Sequence, residues 1–460
     1  MSDKEFEGLH FPAAPKIIVK PPGPKSRQLR QRQDELESAA ISYPKAMPIA
    51  FEEGRGATLK DVDGNIYIDF FGGAGVLNVG HCNPDVVEAA KQQMEKLMHC
   101  LDFPTPVRMK LTEEILSLLP GKLRHNAKIF FVAPTGADAV ESAIKLAKFN
   151  TRRIGIMSFE GGYHGMTAGA LTLTANKEFK KDFVPMIPEV HFVPYAYCYR
   201  CTFGKEYPDC DLECAKYFEH VLEDPESGVV DPAAVIVEAV QGEGGSIPPP
   251  DKFITEIRRI TSERSIPLIV DEIQAGMCRT GKMWACEHSG ITPDIMTISK
   301  GIGGGLPLSA IVFDKRLDTW EKGAHVGTFR SNVVAMAAAV ATLRFIKRHR
   351  LWDHAAELGR EVFLPRLEEL KEENECIGDV RGMGLMIGVE FVKDKKSKKP
   401  RPEIARGVQK ACYEKGLITE VGGHYQNVIR FLPPLILTKE LAESGVDIFA
   451  EAAEEVETAK

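Results

Sequence analysis

Short apolar runs typical of buried strands alternate with longer amphipathic segments through the middle of the chain, from about residue 84 to 330. In the longer segments apolar residues recur at three- and four-residue intervals, which predicts helices. The alternation predicts an α/β fold with a mostly parallel sheet covered by helices on both faces. We expect strands at 127–132, 153–158, 189–193, 233–238, 267–271 and 295–299, and helices at 84–97, 106–119 and 137–149.

The flanking regions have a different pattern. The pattern at 57–70 predicts a hairpin, because two stretches in which apolar and polar residues alternate flank the turn residues Asp63 and Gly64. Beyond about residue 336 the pattern is α+β, and since 460 residues exceed what one core usually serves, we expect a second, smaller domain there. Its predicted strands are 378–391 and 428–432, and its predicted helices are 403–416 and 439–458.

Composition narrows the class of protein. Hydrophobic residues make up 44% of the chain and charged residues 27%, as in soluble globular proteins. The formal net charge of −7 argues against a general surface for nucleic acid or anionic membranes. No apolar run is long enough to span a bilayer, and residues 1–25 lack the apolar segment of a signal peptide, so we expect a cytoplasmic protein.

Lys300 stands at the end of the strand predicted at 295–299, and four glycines follow it within five positions. A structural lysine normally lies on a solvated face with its stem on apolar surface. A desolvated lysine has a lowered pKa and can form a Schiff base with a carbonyl group, and neighbouring glycines let a flat ligand approach the backbone. The stretch alone leaves a surface lysine and a catalytic lysine both open.

Asp271 ends a fully apolar predicted strand and is the most specific of the remaining candidate site residues. A buried carboxylate needs a partner that is charged or donates strongly, and a protonated pyridine nitrogen is such a partner. Gln274, three residues later, can donate to a ring hydroxyl. The alternative is an aspartate that caps the following helix.

A third candidate site lies between a predicted strand and a predicted helix. Thr135 there is a favourable N-cap, and the amides of Gly136 and Ala137 would point outward at the positive end of the helix dipole. This arrangement is a phosphate cradle, although an ordinary capped helix has the same local sequence.

Two glycine-rich turns carry further candidates. Tyr163 can stack on a planar ring with His164 beside it, although a core tyrosine in a turn is the alternative. Glu238 and Glu243 are carboxylates among small residues near a strand end, where packing rarely places them. Together with Lys300, these strand-end features describe the needs of pyridoxal phosphate, and ligands of parallel sheets bind beyond the carboxyl ends of strands.

The sequence resembles the class III, or ω-, aminotransferases of the fold-type I pyridoxal-phosphate enzymes from about residue 45 to 455. The shared motifs are PTGADAVESAIKLA (134–147), GGYHGMT (161–167), VEAVQGEGG (237–245), LIVDEIQAGMCRTGKMWACEHSGITPDIMTISKGIGGGLPLSA (268–310), GTFRSN (327–332), VRGMGLMIGVEF (380–391) and VIRFLPPL (428–435). The resemblance implies a large cofactor-binding domain at 81–335 with a mostly parallel seven-stranded sheet flanked by helices. It also implies a smaller α+β domain at 336–460, to which an N-terminal segment at 1–80 contributes.

The resemblance also implies roles for these residues. Lys300 would form the Schiff base with the cofactor and then move the proton between substrate and cofactor. Asp271 would keep the ring nitrogen protonated, while Gln274 contacts the ring oxygen and Glu238 supports that side. Tyr163 would stack on the ring beside His164. The phosphate would be held by Thr135, Gly136 and Ala137 and, from the other subunit of a homodimer, by Thr328, with a tetramer of such dimers left open.

Four residues would bind substrate by the same resemblance. Arg430 would hold the α-carboxylate of glutamate or 2-oxoglutarate in a two-pronged contact, and Glu243 would neutralise it when an amine end binds. Met166 and Ala74 would line the substrate side. The 4-aminobutyrate enzymes have an arginine at the place of Met166, and it holds the far carboxylate of their substrate, which methionine cannot do.

The residues of these motifs are most similar to those of the 2,4-diaminobutyrate:2-oxoglutarate aminotransferases. That group usually has Arg-Gly-Asn where residues 330–332 of this chain are Arg-Ser-Asn. Other donors remain open, among them 4-aminobutyrate, ornithine and other ω-amines. A racemase or epimerase on the same fold would use the same lysine but reprotonate Cα. A binding protein without catalysis is disfavoured by the intact Lys300 and Asp271.

A cluster of cysteines interrupts this pattern in what resembles an insertion. The spacing Cys198-x-x-Cys201 and Cys210-x-x-x-Cys214 is compatible with a four-cysteine zinc site, although the gap between the pairs is shorter than in common zinc ribbons. Reduced thiols without metal are the default in a cytosolic protein, and we expect no metal.

Overall fold

In the computed structural model, which describes residues 4–330 and 332–458, the chain forms two compact units. The larger unit is Asp85–Arg348, and the smaller unit combines the residues up to Pro84 with those from His349 onward. None of the helices in the described residues is long and apolar enough to cross a membrane.

Both units contain strands and helices. The strands are β1 (Phe51–Arg55), β2 (Thr58–Asp61), β3 (Ile66–Asp69), β4 (Ala127–Phe131), β5 (Ile156–Phe159), β6 (Val190–Val193), β7 (Ala234–Val237), β8 (Leu268–Asp271), β9 (Ile295–Ile298), β10 (Ala310–Asp314), β11 (Ile377–Met383), β12 (Met386–Phe391), β13 (Leu417–Ile418), β14 (Glu420–Gly422) and β15 (Val428–Phe431). The helices are α1 (Lys4–Glu7), α2 (Pro24–Leu36), α3 (Tyr43–Ala46), α4 (Gly72–Gly75), α5 (Pro84–Met94), α6 (Pro106–Ser117), α7 (Leu123–Asn126), α8 (Gly136–Thr151), α9 (Ala168–Leu173), α10 (Glu213–Glu223), α11 (Phe253–Glu263), α12 (Val333–Arg348), α13 (Leu351–Leu358), α14 (Leu364–Glu373), α15 (Pro402–Lys415) and α16 (Lys439–Thr458).

The larger unit contains the predicted sheet. Its seven strands lie in the order β4-β10-β9-β8-β7-β5-β6, and the pairs from β9 through to β6 are parallel. The mostly parallel seven-stranded sheet is therefore confirmed. Strand β10, which the sequence analysis missed, is antiparallel to both of its neighbours.

Helix α8 supplies much of the core on one face of this sheet. Its residues Val140, Ala143 and Ala147 are buried, because they recur at three- and four-residue spacing along one side. They belong to one hydrophobic cluster with Ile236 of β7 and Ile269 of β8. Strands that are buried on both faces of a sheet need apolar side chains on both sides. This explains why the strands of this sheet contain almost no polar residue before their carboxyl ends.

The smaller unit contains two four-stranded sheets, with strand orders β1-β2-β3-β13 and β11-β12-β15-β14. The predicted hairpin is confirmed as β2 and β3, and Gly64 in its turn has φ of +92°, a conformation that favours glycine. The apolar run at 378–391 forms two antiparallel strands, β11 and β12.

Helix α12 belongs to the larger unit, so the second boundary lies at Arg348 and not at the predicted 335. The physical reason is that α12 is apolar along most of its length, with Val333 to Val340 all buried, and packs against α6. A helix that is buried on most sides has no polar face to show which domain it packs against. Its sequence pattern alone therefore does not place the domain boundary.

Candidate active site

A cavity of about 470 Å³ opens in the larger unit, where the parallel strands β5, β7, β8 and β9 end. Its lining contains most of the residues that the sequence analysis singled out. They are Thr135, Gly136, Ala137, Tyr163, His164, Met166, Glu238, Glu243, Asp271, Gln274 and Lys300. Gly165, Thr167 and Ile273 complete the lining.

Asp271 is the last residue of β8 and is held on both carboxylate oxygens. Its Oδ1 accepts hydrogen bonds from the amide of Ile273 at 3.0 Å and from the hydroxyl of Thr297 at 3.0 Å. Its Oδ2 accepts one from Nδ1 of His164 at 2.7 Å. With 4% of its surface exposed, the carboxylate is fixed in position before any ligand arrives.

Glu238 lies just beyond the end of β7 and adds a second buried carboxyl group beside His164. It accepts hydrogen bonds from the amides of Tyr163 and Gly242, both at 3.0 Å. Burial raises the pKa of Glu238 to about 7, and the charge of Asp271 contributes in the same direction, while His164 and the two amides oppose it. The carboxyl group therefore titrates near neutral pH, so both of its protonation states are accessible at the cavity wall.

The N-terminus of α8 faces the cavity with a complete cap. Thr135 and Asp138 form a capping box, in which the Thr135 amide donates to the Asp138 carboxylate at 3.0 Å. The predicted N-cap is confirmed. Gly136 cannot be replaced without cost, because a Cβ there would lie 2.8 Å from the Ile273 side chain. The amides of the first helical turn are left to face an anion.

The turn that carries Tyr163 and Met166 is pressed against this helix. A Cβ on Gly165 would lie 2.6 Å from that of Ala137, and Gly165 has φ of +126°. Glu141 of α8 secures the chain that follows, since its Oε1 accepts hydrogen bonds from the Thr167 hydroxyl at 2.6 Å and the Gly169 amide at 2.8 Å. The position of Met166 is thus set by contacts with α8.

Lys300 follows β9 and lines the same cavity. Its φ is +46°, in the left-handed region that non-glycine residues seldom adopt. The preceding Ser299 donates its hydroxyl hydrogen to the carbonyl of Leu308 at 2.9 Å, which anchors the backbone on one side. A strained backbone held by its surroundings is common where a side chain must be aimed at a ligand.

Gln274 and Glu243 approach each other at the cavity wall, with Gln274 Nε2 at 3.5 Å from Glu243 Oε1. Met166 also lines the cavity and is 49% exposed. All three residues line the cavity. Their side chains offer a carboxylate, an amide and an apolar chain.

Three predicted residues lie outside the cavity lining of the larger unit. Thr328 is exposed in the segment before α12. Ala74 lies in α4 of the smaller unit with φ of +59°. Arg430, on β15 of the same unit, is fully buried and pairs with Glu420. The predicted contact between Arg430 and Glu243 stays a prediction.

The sequence analysis missed three residues that shape the site. Thr297 faces Asp271 because β8 and β9 pair in that register. Ile273 and Glu141 act through a backbone amide and a helix side chain. Only Thr297 carried a usable signal, as a polar residue inside an otherwise apolar predicted strand.

Comparison with known proteins decides the family. The sequence model of the family described as aminotransferase class-III matches residues 40–453, nine-tenths of the chain. The chain is a class III aminotransferase.

Relatives and solved structures resemble the chain over most of its length. The aminotransferase is 46% identical over 415 residues to a protein of Rhizobium meliloti named diaminobutyrate–2-oxoglutarate aminotransferase, with 88% of each chain covered. It is 37% identical to an alanine/serine racemase of Pyrococcus horikoshii, covering 97% of this chain and 94% of the other. The structure of a transaminase from a marine Virgibacillus superposes with a TM-score of 0.85 at 27% identity, covering 94% of this chain and 100% of the other. The fold is that of the fold-type I enzymes.

Class III aminotransferases depend on pyridoxal phosphate, and the cavity fits that cofactor. Asp271 offers a buried carboxylate at one end, and the capped N-terminus of α8 offers amides for a phosphate. Lys300 supplies an amine to the same cavity. When bound, the cofactor supplies an electron-poor ring that stabilises the negative charge left on a carbon that loses its proton.

The cysteine segment is the part of the chain whose spacing is compatible with zinc. Among residues 4–330 and 332–458, no three Cys, His, Asp or Glu side chains are arranged to hold a metal ion. Cys198, Cys201, Cys210 and Cys214 are free thiols. Burial raises the pKa of Cys198 to about 11 and that of Cys214 to about 12, which keeps both protonated.

Proposed function

We propose that this aminotransferase transfers the terminal amino group of L-2,4-diaminobutyrate to 2-oxoglutarate, which becomes glutamate. The charge of the cavity lining is the observation that carries the choice of donor. Among the described residues of that lining, Lys300 is the only lysine or arginine, whereas Glu238, Glu243 and Asp271 carry carboxyl groups. An acidic wall attracts a donor with two amino groups more than one with a distant carboxylate.

Met166 supports the same donor. Its side chain lines the cavity at the position where the 4-aminobutyrate enzymes have an arginine for the far carboxylate of their substrate. A thioether cannot bind a carboxylate. The name of the Rhizobium meliloti relative, which shares 46% of its aligned residues with this chain, points to the same pair of substrates.

Within the cavity, we assign proton transfer to Lys300. Its amine would take the proton from the substrate carbon that bears the transferred amino group. The same amine would then deliver that proton to the cofactor. Asp271 would hold the ring nitrogen in its protonated form, because the carboxylate is buried and already fixed by three hydrogen bonds. Tyr163 would cover one face of the ring beside His164.

The remaining cavity residues would hold the cofactor in place. The amides of Gly136 and Ala137, after the cap residue Thr135, would bind its phosphate. Gln274 would donate to the ring oxygen, and Glu238, with its pKa near 7, would support that side in either protonation state. Each group would act by position and charge, with no covalent step of its own.

The second substrate requires a carboxylate site. Arg430 would hold the α-carboxylate of 2-oxoglutarate or glutamate through two parallel hydrogen bonds. When the amine end of the donor binds, no carboxylate enters that place, and Glu243 would balance the arginine charge. Ala74, in a left-handed turn, would leave room for the substrate beside the backbone.

Assembly as a homodimer would complete the phosphate site through Thr328 of a second copy. The surface beside Thr328 supports this proposal, because Val326 is 78% exposed and Phe329 is 69% exposed. Phe103 is 69% exposed as well, and the ring of Phe329 contacts His99, with centroids 5.5 Å apart. Exposed apolar side chains of this size usually mark an interface.

The cytoplasm is the proposed location, since Cys82, Cys198 and Cys214 are reduced thiols and the net charge is −7. That charge also disfavours nucleic acid and anionic membranes as partners.

Steady-state kinetics with 2-oxoglutarate and one donor at a time tests the donor assignment. We expect kcat/KM for L-2,4-diaminobutyrate to exceed that for 4-aminobutyrate and ornithine at least about tenfold, since one unmatched charged group costs more than 1.4 kcal/mol. Removal of the terminal amino group gives an aldehyde, so an aldehyde-specific reagent distinguishes it from α-transfer. A preference for 4-aminobutyrate or ornithine, or a 2-oxo acid as product, would overturn the proposal.

Racemisation is the second candidate, favoured by the relative from Pyrococcus horikoshii. It would use the same lysine but return the proton to the carbon that lost it. Chiral chromatography of alanine, serine and leucine incubated without any 2-oxo acid measures it directly. Formation of D-amino acids faster than the glutamate formation measured in the separate assay with 2-oxoglutarate would favour racemisation.

A further inference from the structure

Arg430 and Glu420 form a buried ion pair across two neighbouring strands of the smaller unit. The two residues face each other in the antiparallel pairing of β14 with β15, and Arg430 Nη2 lies 2.5 Å from Glu420 Oε2. Arg430 is fully buried and Glu420 is 7% exposed. Little water separates or screens these charges, so each strongly affects the other.

The sheet itself directs the arginine toward this partner. On its other side, the backbone of Arg430 pairs with Gly388 of β12, which fixes β15 between two strands. The arginine side chain lies across Gly422 of β14, where a Cβ would be only 2.7 Å from Nε. The pair is therefore built from regular strand register, and a loop movement is not needed to form it.

From this pair we infer that Glu420 is a positioning residue that sets the substrate preference of Arg430. The inference rests on the proposed function, in which Arg430 binds the α-carboxylate of 2-oxoglutarate. A carboxylate already bound to the guanidinium weakens its attraction for a second carboxylate. When the amine end of the donor occupies the site, this carboxylate balances the arginine charge together with Glu243.

Replacing Glu420 by glutamine separates this role from simple stabilisation of the fold. In Glu420→Gln we expect the KM for 2-oxoglutarate to fall about fivefold and the KM for L-2,4-diaminobutyrate to rise by a similar factor. The kcat should change less than about twofold, since Glu420 does not touch the reacting atoms. A merely structural residue would shift both KM values in the same direction.

The chain offers a matched control in the same sheet. Glu390 of β12 is fully buried and pairs with Arg381 of β11 at 2.8 Å. We expect Glu390→Gln to leave both KM values within about twofold of the unmodified enzyme, because its arginine has no assigned substrate. Opposite KM shifts in this control, or parallel or absent shifts in Glu420→Gln, would overturn the inference.

A binding measurement keeps the inference apart from the proposed function. Glutarate, a dicarboxylate with no oxo or amino group, can be titrated calorimetrically into the cofactor-loaded enzyme. Glu420→Gln should bind it about fivefold more tightly than the unmodified enzyme. Tighter glutarate binding without any transamination would sustain the inference and refute the proposed function. Unchanged glutarate binding in an active transaminase would refute the inference and leave the proposed function standing.

Glu420→Asp provides the test if the glutamine variant does not fold. Shortening the side chain by one methylene keeps the charge but draws it away from the guanidinium. The same opposite shifts in KM, smaller than about fivefold, are then expected. Unchanged KM values in this variant would overturn the inference.

Discussion

His164 Nδ1 donates a hydrogen bond to Asp271 Oδ2 at 2.7 Å, and both side chains are buried where the strands of the larger unit end. Because the amide of Ile273 and the hydroxyl of Thr297 occupy Oδ1, the remaining lone pair of Oδ2 is the one left for a ring nitrogen. The imidazole thus helps to aim the carboxylate.

Replacing either partner should therefore damage catalysis to different degrees. Asp271→Asn should lower kcat/KM by about a thousandfold, because a neutral amide no longer keeps the ring nitrogen protonated. His164→Phe should lower it by about tenfold to a hundredfold and weaken cofactor affinity, since the carboxylate keeps its charge but loses one support. Fluorescence titration with the cofactor and steady-state kinetics measure both effects. Equal losses in the two variants would contradict the separate roles.

The strand-end chemistry of Asp271 and Lys300 could be predicted because both signals are local. A single acid or amine directly after an apolar run is visible in a few residues of sequence. Thr297 was missed because its contact with Asp271 depends on the register between β8 and β9. Register is set by the packing of the whole sheet, which no short stretch encodes.

Long-range contacts explain the other differences. Glu141 is one of many polar residues on α8, and only the folded turn brings Thr167 and Gly169 to it. Glu420 pairs with Arg430 because two short strands ten residues apart lie side by side. In both cases the sequence shows the charge but not the partner.

The buried Glu272 should make stability depend on pH. Burial raises the pKa of Glu272 to about 7 from 4.5, although amides of Cys286 and Ala285 oppose the shift. A raised carboxyl pKa stabilises the fold fully below the unfolded value and loses that contribution as pH rises through 7. The free energy of unfolding of the unmodified protein, relative to Glu272→Gln, should fall by roughly 3 kcal/mol between pH 4.5 and 8.

Urea unfolding of the cofactor-free protein at several pH values measures this dependence. Glu226→Gln is a suitable control because Glu226 is exposed, and its curve should run parallel to that of the unmodified protein. A constant difference between Glu272→Gln and the unmodified protein across this pH range would exclude the titration of Glu272.

Met166→Arg should widen the donor range. The half-exposed side chain lines the cavity, so an arginine there offers a cation for a distant carboxylate. We expect kcat/KM for 4-aminobutyrate to rise about tenfold while that for L-2,4-diaminobutyrate falls. Ile154→Arg, which changes an exposed residue outside the cavity lining, is the control and should alter neither value.

Complementation between two inactive variants tests whether Thr328 contributes to the active site of a second copy of the chain. Lys300→Ala lacks the proton-transferring amine, and Thr328→Asp would repel the cofactor phosphate of the partner. Each variant alone should be inactive. Mixed dimers formed by reversible unfolding should regain up to about half of the unmodified activity per chain, because one of their two sites is intact.

Mixed dimers would be separated by two affinity tags before assay. Failure of the purified mixed dimer to show any activity, with both chains folded, would place Thr328 outside the site of the partner. Activity of the Thr328→Asp variant alone would have the same meaning.

The half-reaction with a single donor tests the central claim most directly. L-2,4-diaminobutyrate is added to the cofactor-loaded enzyme without any 2-oxo acid, and the visible absorption of the cofactor is followed in deuterated water. We predict stoichiometric conversion of the aldehyde form of the cofactor to its amine form, with no conversion in Lys300→Ala. Retention of the aldehyde form, with deuterium incorporated at Cα of the amino acid, would contradict transamination by this enzyme.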